Sequence, residues 1–470
     1  MTAEKSLADG CDVLVVGAGI SGLTAAFQLT RRGFRVEVID AAPTAGGVIG
    51  TGRREGVLYE RGPNSLLETS ALVPSLLEEL GIAGERLEAN PAASKRYIVR
   101  NGALTALPTT PSALLATSLF SAGAKFRLLR EPFVMRAAVE TEESVSQFVE
   151  RRLGREPLDY AVEPFVAGIY AGNPDELSLA AAFPRLAALE HRYGSLLRGG
   201  LQIARGQRHG ATSFSFRGGM RTLTDALSRA VGVVTDARAI EINSSGDGAV
   251  TIGIDTARGR MQTRARAVVL AVPAGSAAAL VRDLAPEAAR ALEEIPYAPV
   301  ASVASVYERA DIAHALDGFG FLVPRVEKRR ILGTLFSSSM FEGRAPKERV
   351  LLTTFVGGRR DPQLVSSSEE ALAAMVEDEL ATLLGAARRP RFSVVTRWPH
   401  AIPQYTLGHL SRIERAERVQ ARLPGLYLCG SYRAGVSVAG CIASAHDTAD
   451  TVGAYLESRL RWHIPSPPRA

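Results

Sequence analysis

The chain has 470 residues, 46% of them hydrophobic and 22% charged, with a formal net charge of +6. That length exceeds one simple core and predicts two or three domains, and the composition fits a soluble globular protein. Lysine stands only at positions 5, 95, 125, 328 and 347, so the positive balance is almost all arginine; it reads as composition bias, and no basic–aromatic patch points to nucleic acid.

The three cysteines, Cys11, Cys429 and Cys441, form no CxxC or metal spacing, and the seven histidines show no HxxxH or HExxH pattern. No protein-bound metal is expected, and a reducing compartment is. Met1 to Gly10 is too short and polar for a signal or transit peptide. No run reaches the roughly 18 apolar residues of a membrane span. The expected location is the cytoplasm, with peripheral contact at the inner face of the cell membrane as a further expectation.

In chain order, Asp12 to Gly22 read DVLVVGAGISG: an apolar strand, the turn Gly17-Ala18-Gly19-Ile20-Ser21-Gly22, then a helix through Leu29. A second strand from Val36 ends on Asp40. Gly17 permits the tight turn, Gly19 lets backbone approach a pyrophosphate, Gly22 lets the helix pack on the strand, and Asp40 suits a ribose hydroxyl. The phosphates then sit over the helix N-terminus, where free N–H groups and the dipole favour negative charge. Gly46-Gly47 come next, where a nicotinamide nucleotide has no standard need of a glycine pair and an extended flavin does.

The loop Gly62-Pro63-Asn64-Ser65 precedes a helix around Ala71 to Leu80. The strand Arg96 to Arg100 closes on the hairpin turn Asn101-Gly102. From about Pro108 to Leu197 the pattern is mostly helical. Within it, segment 112 to 136 mixes leucine and phenylalanine with Lys125, Arg127, Arg130 and Arg136. Two readings stand for this segment: a helix on a membrane with Lys125 and Arg127 toward head groups, or a helix pair that roofs a pocket. Strand signals return near 231 to 254 and at 267 to 272. Further runs lie at Val300 to Tyr307, Gly320 to Val323, Ile331 to Ser337 and Val350 to Val356. The chain closes with a strand Leu426 to Cys429, a glycine-containing loop, a helix from Cys441 to Leu456, and a proline-rich tail expected to fray. Dinucleotide-type elements at the start, middle and end predict a discontinuous nucleotide domain with insertions. The last strand, turn and helix would close the far side of an FAD.

The runs DVLVVGAGISGLTAA, VIDAAPTAGG, FRGGMRTLTDAL and LYLCGSY…ASA resemble the flavin monoamine oxidase superfamily. Within it, RGPNSLLE, KRYIVRNGALTALP, FVAGIYAGNPDELSL, LGTLFSSSMFEGRAP, RWPHAIPQYTLGHL and GVSVAGCI resemble the oxygen-dependent protoporphyrinogen oxidases of bacteria and plants. These matches run in the family's order from Gly17 to Ala445. The resemblance implies an amine-oxidase-like α/β and α+β fold in three parts. A discontinuous Rossmann-like FAD domain takes 1–94, 213–280 and 397–470. A mixed-sheet substrate domain takes 95–103, 196–212 and 281–396, and a helical membrane-facing domain 104–195.

The activity implied is oxidation of protoporphyrinogen IX to protoporphyrin IX in three two-electron steps, with O2 as acceptor and peroxide as product. The cofactor, non-covalent FAD, does the difficult chemistry, so no catalytic side-chain constellation is expected, and none is found. For substrate, the resemblance implies Arg96 pairing with a propionate, where its planar fork suits a carboxylate. It further implies Gly168 and Ile169 along the macrocycle, Phe336 stacked on a pyrrole ring, Leu322 and Leu332 as apolar walls, and Asn64 facing both flavin and substrate. For FAD it implies the turn 17–22, Asp40, Gly46, Gly47 and Val48, the loop 62–65, Ala239 at the adenine, Trp398 near the ring, and Val436, Ser437 and Val438. A homodimer is consistent with the family and is not shown by the sequence. The rival readings are a coproporphyrinogen III oxidase, whose four-propionate substrate wants more positive groups, and a flavin amine oxidase, whose aromatic cage is missing beside Val436-Ser437-Val438.

Overall fold

A computed structural model describes residues 10–136, 142–206, 212–244 and 248–461. The expected frayed tail lies outside them. The opening motif folds as its pattern demands: strand β1 (Cys11–Val16), helix α1 (Ile20–Arg31) and strand β2 (Val36–Ile39). β1 is flanked by parallel partners, β2 on one side and the end of the long strand Gly259–Leu270 on the other. Strand Leu426–Leu428 also pairs in parallel with that long strand, and Ala237–Ser244 and Val250–Thr256 extend the sheet antiparallel. The nucleotide sheet is thus assembled from three distant stretches.

Apolar residues line both faces of this sheet. α1 and the last helix, Val438–Arg461, fill one side through Leu23, Ala26, Ile442 and Ala445. Helices Ala274–Val281, Pro286–Glu293 and His409–Glu417 fill the other.

A second, seven-stranded sheet runs in the order Phe392–Pro403, Tyr297–Glu308, Arg349–Gly357, Ile331–Leu335, Gly318–Leu322, Lys95–Arg100, Ala103–Ala106. Its far face is covered by helix Glu369–Leu384 through Leu372, Val376, Leu380 and Leu384. Its near face meets the nucleotide half and the helical region.

Three expected domain limits move. The 396/397 boundary falls inside strand Phe392–Pro403, which pairs with its neighbour as far as Pro403. Residues 286–295 bury Ala288, Leu292 and Ile295 in the nucleotide core, not the substrate part. Helix Leu196–Gly206 joins the helical region, because the buried Glu131 accepts the backbone N–H groups of Leu196 and Leu197 at 2.9 and 3.2 Å.

Segment 112 to 136 forms helices Pro111–Ala116 and Ala122–Leu129. Its inner side, Leu119, Phe120 and Ala124, packs with Ile98 and Leu322 of the second sheet. Phe126, Leu129, Phe133 and Met135 stand exposed on its outer side. The basic side chains expected at head groups are engaged within the chain: Lys125 Nζ donates to the carbonyls of Leu115 and Thr117, and Arg127 to that of Glu150. Carbonyls left free at helix ends attract them more strongly than the outer surface does. Among the described residues no helix is long and apolar enough to cross a membrane.

Candidate active site

The cleft between the two sheets has a backbone-built half and a side-chain-built half. On the backbone side, Gly17 turns at φ +106°, and a Cβ there would meet the Ala271 carbonyl oxygen at 2.6 Å. A Cβ on Gly22 would lie 1.9 Å from the Gly17 oxygen. Gly19 is different: nothing lies within 4 Å of where its Cβ would be, and α1 begins there without a side-chain cap. The N–H groups of its first turn are therefore open to an anion. Gly46 donates its N–H to Ala18 at 2.8 Å, and Gly47, at φ +60°, lies over the Gly19 Cα. Asp40 accepts from the N–H groups of Ala18 at 2.6 Å and Ala42 at 2.8 Å, so its carboxylate is held in line with the turn. Strand backbone at 234–239 reaches the same place: Asp40 N–H donates to Val234, and Ala237 N–H to Asp40. Ala239, partly buried before a β-bulge, follows two residues further along the same strand.

The loop 62–65 crosses next. A Cβ on Gly62 would meet the Val48 oxygen at 2.1 Å, so loop and glycine pair are in contact, with Val48 exposed above them. Arg61, just before the loop, is pinned by its carbonyl, which accepts from Trp398 Nε1 at 2.8 Å and Ser302 Oγ at 3.3 Å. Behind it the buried Glu60 accepts from Thr51 and from Met220 N–H, and burial pushes its carboxyl above the usual range. Pro63 and Ser65 are half-buried in this loop. Asn64 makes the plain turn contact, its carboxamide donating to Gly62.

At the far end Ser437 Oγ caps the last helix by accepting from Gly440 N–H at 3.0 Å, and Val436 packs against the apolar cluster that includes Tyr170 and Tyr405. Val438 is buried in the core with Ile442, so only its backbone can reach the cleft. The side chains of Ala18, Ile20 and Ser21 are likewise buried. Behind Val436, Tyr405 stacks on His409 at 4.2 Å, and burial lowers the His409 pKa to about 4, so the ring is neutral. Burial pushes the Cys429 and Cys441 thiols up to about 12 and about 11, which leaves both unreactive.

The side-chain half derives from strand register, because directly paired residues share a face. Arg96 pairs with Gly320, Gly320 with Leu335, and Leu335 with Thr353. Ile98 pairs with Leu322, Leu322 with Gly333, Gly333 with Phe355, Phe355 with Ser302, and Ser302 with Thr396. Val300, two residues from Ser302, pairs with Trp398. One face thus carries Arg96, Leu322, Leu335, Phe355 and Trp398, all partly or fully exposed. Helix Glu163–Tyr170 forms the adjoining wall: Ala167 packs down with Val300 and Leu332, and Gly168 and Ile169 face outward. A Cβ on Gly168 would meet Leu322 Cδ2 at 3.0 Å, so wall and face touch where the backbone is bare.

Arg96 reaches over the Phe319 ring at 5.5 Å and has no carboxylate within ion-pair distance among the described residues. Arg100, on the same side of the strand, is committed to Glu156 at 2.8 Å and to the face of Tyr160. Arg96 is thus, among the described residues, the free cation of its strand on this face.

Two expected substrate residues are misplaced. Phe336 is fully buried on the opposite side of the sheet, against His314 and Phe321. Leu332 is on the near side but covered by Ala167 and Ala171, so it supports the wall instead of lining the cleft. The positions that do line it, Phe355 and Leu335, escape a reading of the sequence. The signal lies in VLLTTFVG, whose alternation puts Leu351, Thr353 and Phe355 on one face, but only register says which face meets the cleft.

The model of the flavin-containing amine oxidoreductases matches residues 20–453, and the chain belongs to that family. It is an oxidoreductase, and the dinucleotide grip makes its flavin FAD, which the open Gly19 face and the uncapped helix fit. Over 95% of its length it is 34% identical to the mitochondrial protoporphyrinogen oxidase of Nicotiana tabacum, covering 95% of that protein. It is 27% identical to coproporphyrinogen III oxidase of Bacillus subtilis (strain 168), over 95% of this chain and 98% of that one. A solved structure from Exiguobacterium sp. 255-15, described as a putative protoporphyrinogen oxidase, superposes with a TM-score of 0.82 at 26% identity, over 96% of this chain and all of that one.

Proposed function

We propose that the protein is an FAD-dependent oxidase that converts protoporphyrinogen IX to protoporphyrin IX. Six electrons and six hydrogens leave the macrocycle in three two-electron steps, and three O2 become three H2O2. The observation that carries this reading is the single face on which Arg96, Leu322, Leu335 and Phe355 converge beside the bare Gly168 backbone.

Bound along Gly17–Gly22, Asp40 and Gly46–Val48, FAD supplies the hydride-accepting chemistry. The chain's own residues position and exclude water. Arg96 holds a propionate with its planar fork. Leu322, Leu335 and Phe355 offer a flat apolar bed, and Gly168 allows a ring to approach without a Cβ in the way. Trp398 and Ser302 fix the Arg61 carbonyl, and with it the loop that joins the flavin side to the macrocycle side.

One free arginine on the strand suits a two-propionate substrate better than a four-propionate one, which favours protoporphyrinogen over coproporphyrinogen III. The test is to give the purified yellow protein each porphyrinogen in air and to monitor porphyrin fluorescence and peroxide. Faster turnover of protoporphyrinogen IX is expected; preference for the other, or for neither, overturns the assignment.

The exposed Phe126, Leu129, Phe133 and Met135 support peripheral contact of a cytoplasmic protein with the inner face of the membrane. Co-sedimentation with anionic vesicles at low salt is the expected result, and its absence removes the contact. Association as a homodimer is part of the same reading and is tested by light scattering.

A further inference from the structure

Arg96, the cation proposed for the substrate carboxylate, stands at an irregularity in the sheet. Strand Gly318–Leu322 runs parallel to strand Lys95–Arg100, with Gly318 paired to Lys95 and Gly320 to Arg96, so Phe319 is an extra residue between two consecutive pairs. A bulge of this kind sets two residues opposite one and re-aims the side chains at that point. One of the two is Gly320, where a Cβ would meet the Thr334 oxygen at 2.1 Å, so the side chain that the bulge offers is Phe319. The Phe319 ring is half-buried, and the Arg96 guanidinium lies over it, 5.5 Å from its centroid.

The opposite face of the same strand holds this bulge in place. Lys95 and Tyr97, the chain neighbours of Arg96, point away from the cleft side, and Tyr97 is buried in the far core. Both bind one carboxylate: Asp317 accepts from Lys95 Nζ, and from Tyr97 Oη at 2.5 Å. These bonds hold the Asp317 pKa down at about 2, so the group is ionised. Gly318 follows directly, and a Cβ there would meet the Lys95 oxygen at 2.6 Å and the Tyr97 ring at 2.8 Å. Just before Asp317, Leu316 is left-handed at φ +52°, an uncommon conformation for a leucine, and its N–H donates to His314 Nδ1 at 3.0 Å. The His314 ring in turn meets Tyr97 edge-on at 5.2 Å. Residues 314–320 are thus fitted around Lys95 and Tyr97, and Asp317 bridges the two residues that flank Arg96. Only the short strand Ala103–Ala106 lies beyond Lys95–Arg100 in the sheet, and a slip of one residue would turn Arg96 to the other face.

We propose that Asp317 and Phe319 are positioning residues for Arg96: the carboxylate locks the bulge, and the ring holds the guanidinium on the cleft side for a carboxylate of the substrate. The proposal rests on the porphyrinogen function proposed for this cleft. An aromatic face attracts a guanidinium without using its N–H donors, so the planar fork stays open to a carboxylate. The bridge under the strand acts on Arg96 without touching it, because it fixes the residues on either side.

The test compares the flavin-loaded wild-type protein with D317A, D317N, F319L and F319Y, each made alone and together with R96A. Flavin content, kcat and the KM for protoporphyrinogen IX are read. With Arg96 present, KM is expected to rise about tenfold in D317A and about fivefold in F319L, with flavin content and kcat unchanged. F319Y, which keeps the ring, should stay near wild type. In the R96A background the same substitutions should add less than about twofold, because residues that act through one partner are not additive with its loss. If D317A does not fold, D317N removes the charge at nearly the same shape and carries the comparison. An unchanged KM in folded, flavin-loaded variants overturns the inference. So does an equal rise in the R96A background, which would mean that the strand is disturbed as a whole or that Phe319 touches the substrate itself. Either result leaves the proposed function standing. If the wild-type protein oxidises no porphyrinogen, the function fails and the inference fails with it.

Discussion

The flavin grip and the macrocycle face meet in one cleft but are made differently. The grip is local and made of backbone: Gly17, Gly19 and Gly22 act within one turn, and Gly46-Gly47 close over it. The face is non-local and made of side chains: Arg96, Leu322, Leu335, Phe355 and Trp398 come from five strands of one sheet. At Gly17 and Gly22 a grip of this kind fails when one atom is added, because there is no room to give. A face of this kind degrades by degrees, because each contact contributes a part.

The sharpest way to break the contrast is Gly22→Ala. A Cβ placed 1.9 Å from the Gly17 oxygen cannot be accommodated without moving the turn. Loss of flavin absorbance and of soluble protein is expected, and a yellow, stable variant would show that the grip is not rigid.

Next in size, Phe336→Ala should destabilise the fold by about 3–5 kcal/mol, the usual cost of emptying a fully buried phenylalanine site. Phe355→Ala should cost far less stability and instead raise the porphyrinogen KM. Denaturant titration and steady-state kinetics on the two variants separate the roles, and the opposite pattern would return Phe336 to the substrate.

His409 supplies a pH test on the flavin side. Burial lowers its pKa to about 4, below the ordinary value near 6.5. Above about pH 6.5 both folded and unfolded chains carry it neutral, and it adds no pH dependence. As pH falls from 6.5 toward 4 the unfolded chain takes up the proton and the folded one does not, so stability drops, by up to about 3 kcal/mol. His409→Gln should flatten that part of the stability–pH curve; an unchanged slope would mean the ring is protonated in the fold.

The smallest effect is expected at Arg96. Replacing it with alanine should raise the KM about ten- to thirtyfold, roughly 1.4–2 kcal/mol, with flavin content and melting temperature unchanged. Unaltered kinetics would remove Arg96 from the site.

Much of this is legible in the residues themselves. The strand–turn–helix at Asp12–Leu29, the acid at Asp40 and the hairpin at Asn101-Gly102 are short-range patterns, and the fold reproduces them. So is the return of nucleotide-type elements at the chain's end, which predicts a discontinuous sheet. Phe336 and Leu332 mislead for different reasons. Alternation beside an apolar strand marks two faces without saying which one meets the cleft, and Phe336 falls on the far one; Leu332 is on the near face, but only the packing of Ala167 and Ala171 decides that it is covered.

By itself, then, the order of amino acids determined the cofactor grip, because glycine conformation and an anion-binding helix start are properties of a few neighbouring residues; the class of chemistry it indicated only through the runs that resemble the family. Only the tertiary structure decided that Phe355 and Leu335 line the cleft and that Lys125 and Arg127 bond to carbonyls of neighbouring segments. Those facts depend on which strand pairs with which, and in what register. Register is set by the packing of the whole sheet against the nucleotide half and helix Glu369–Leu384.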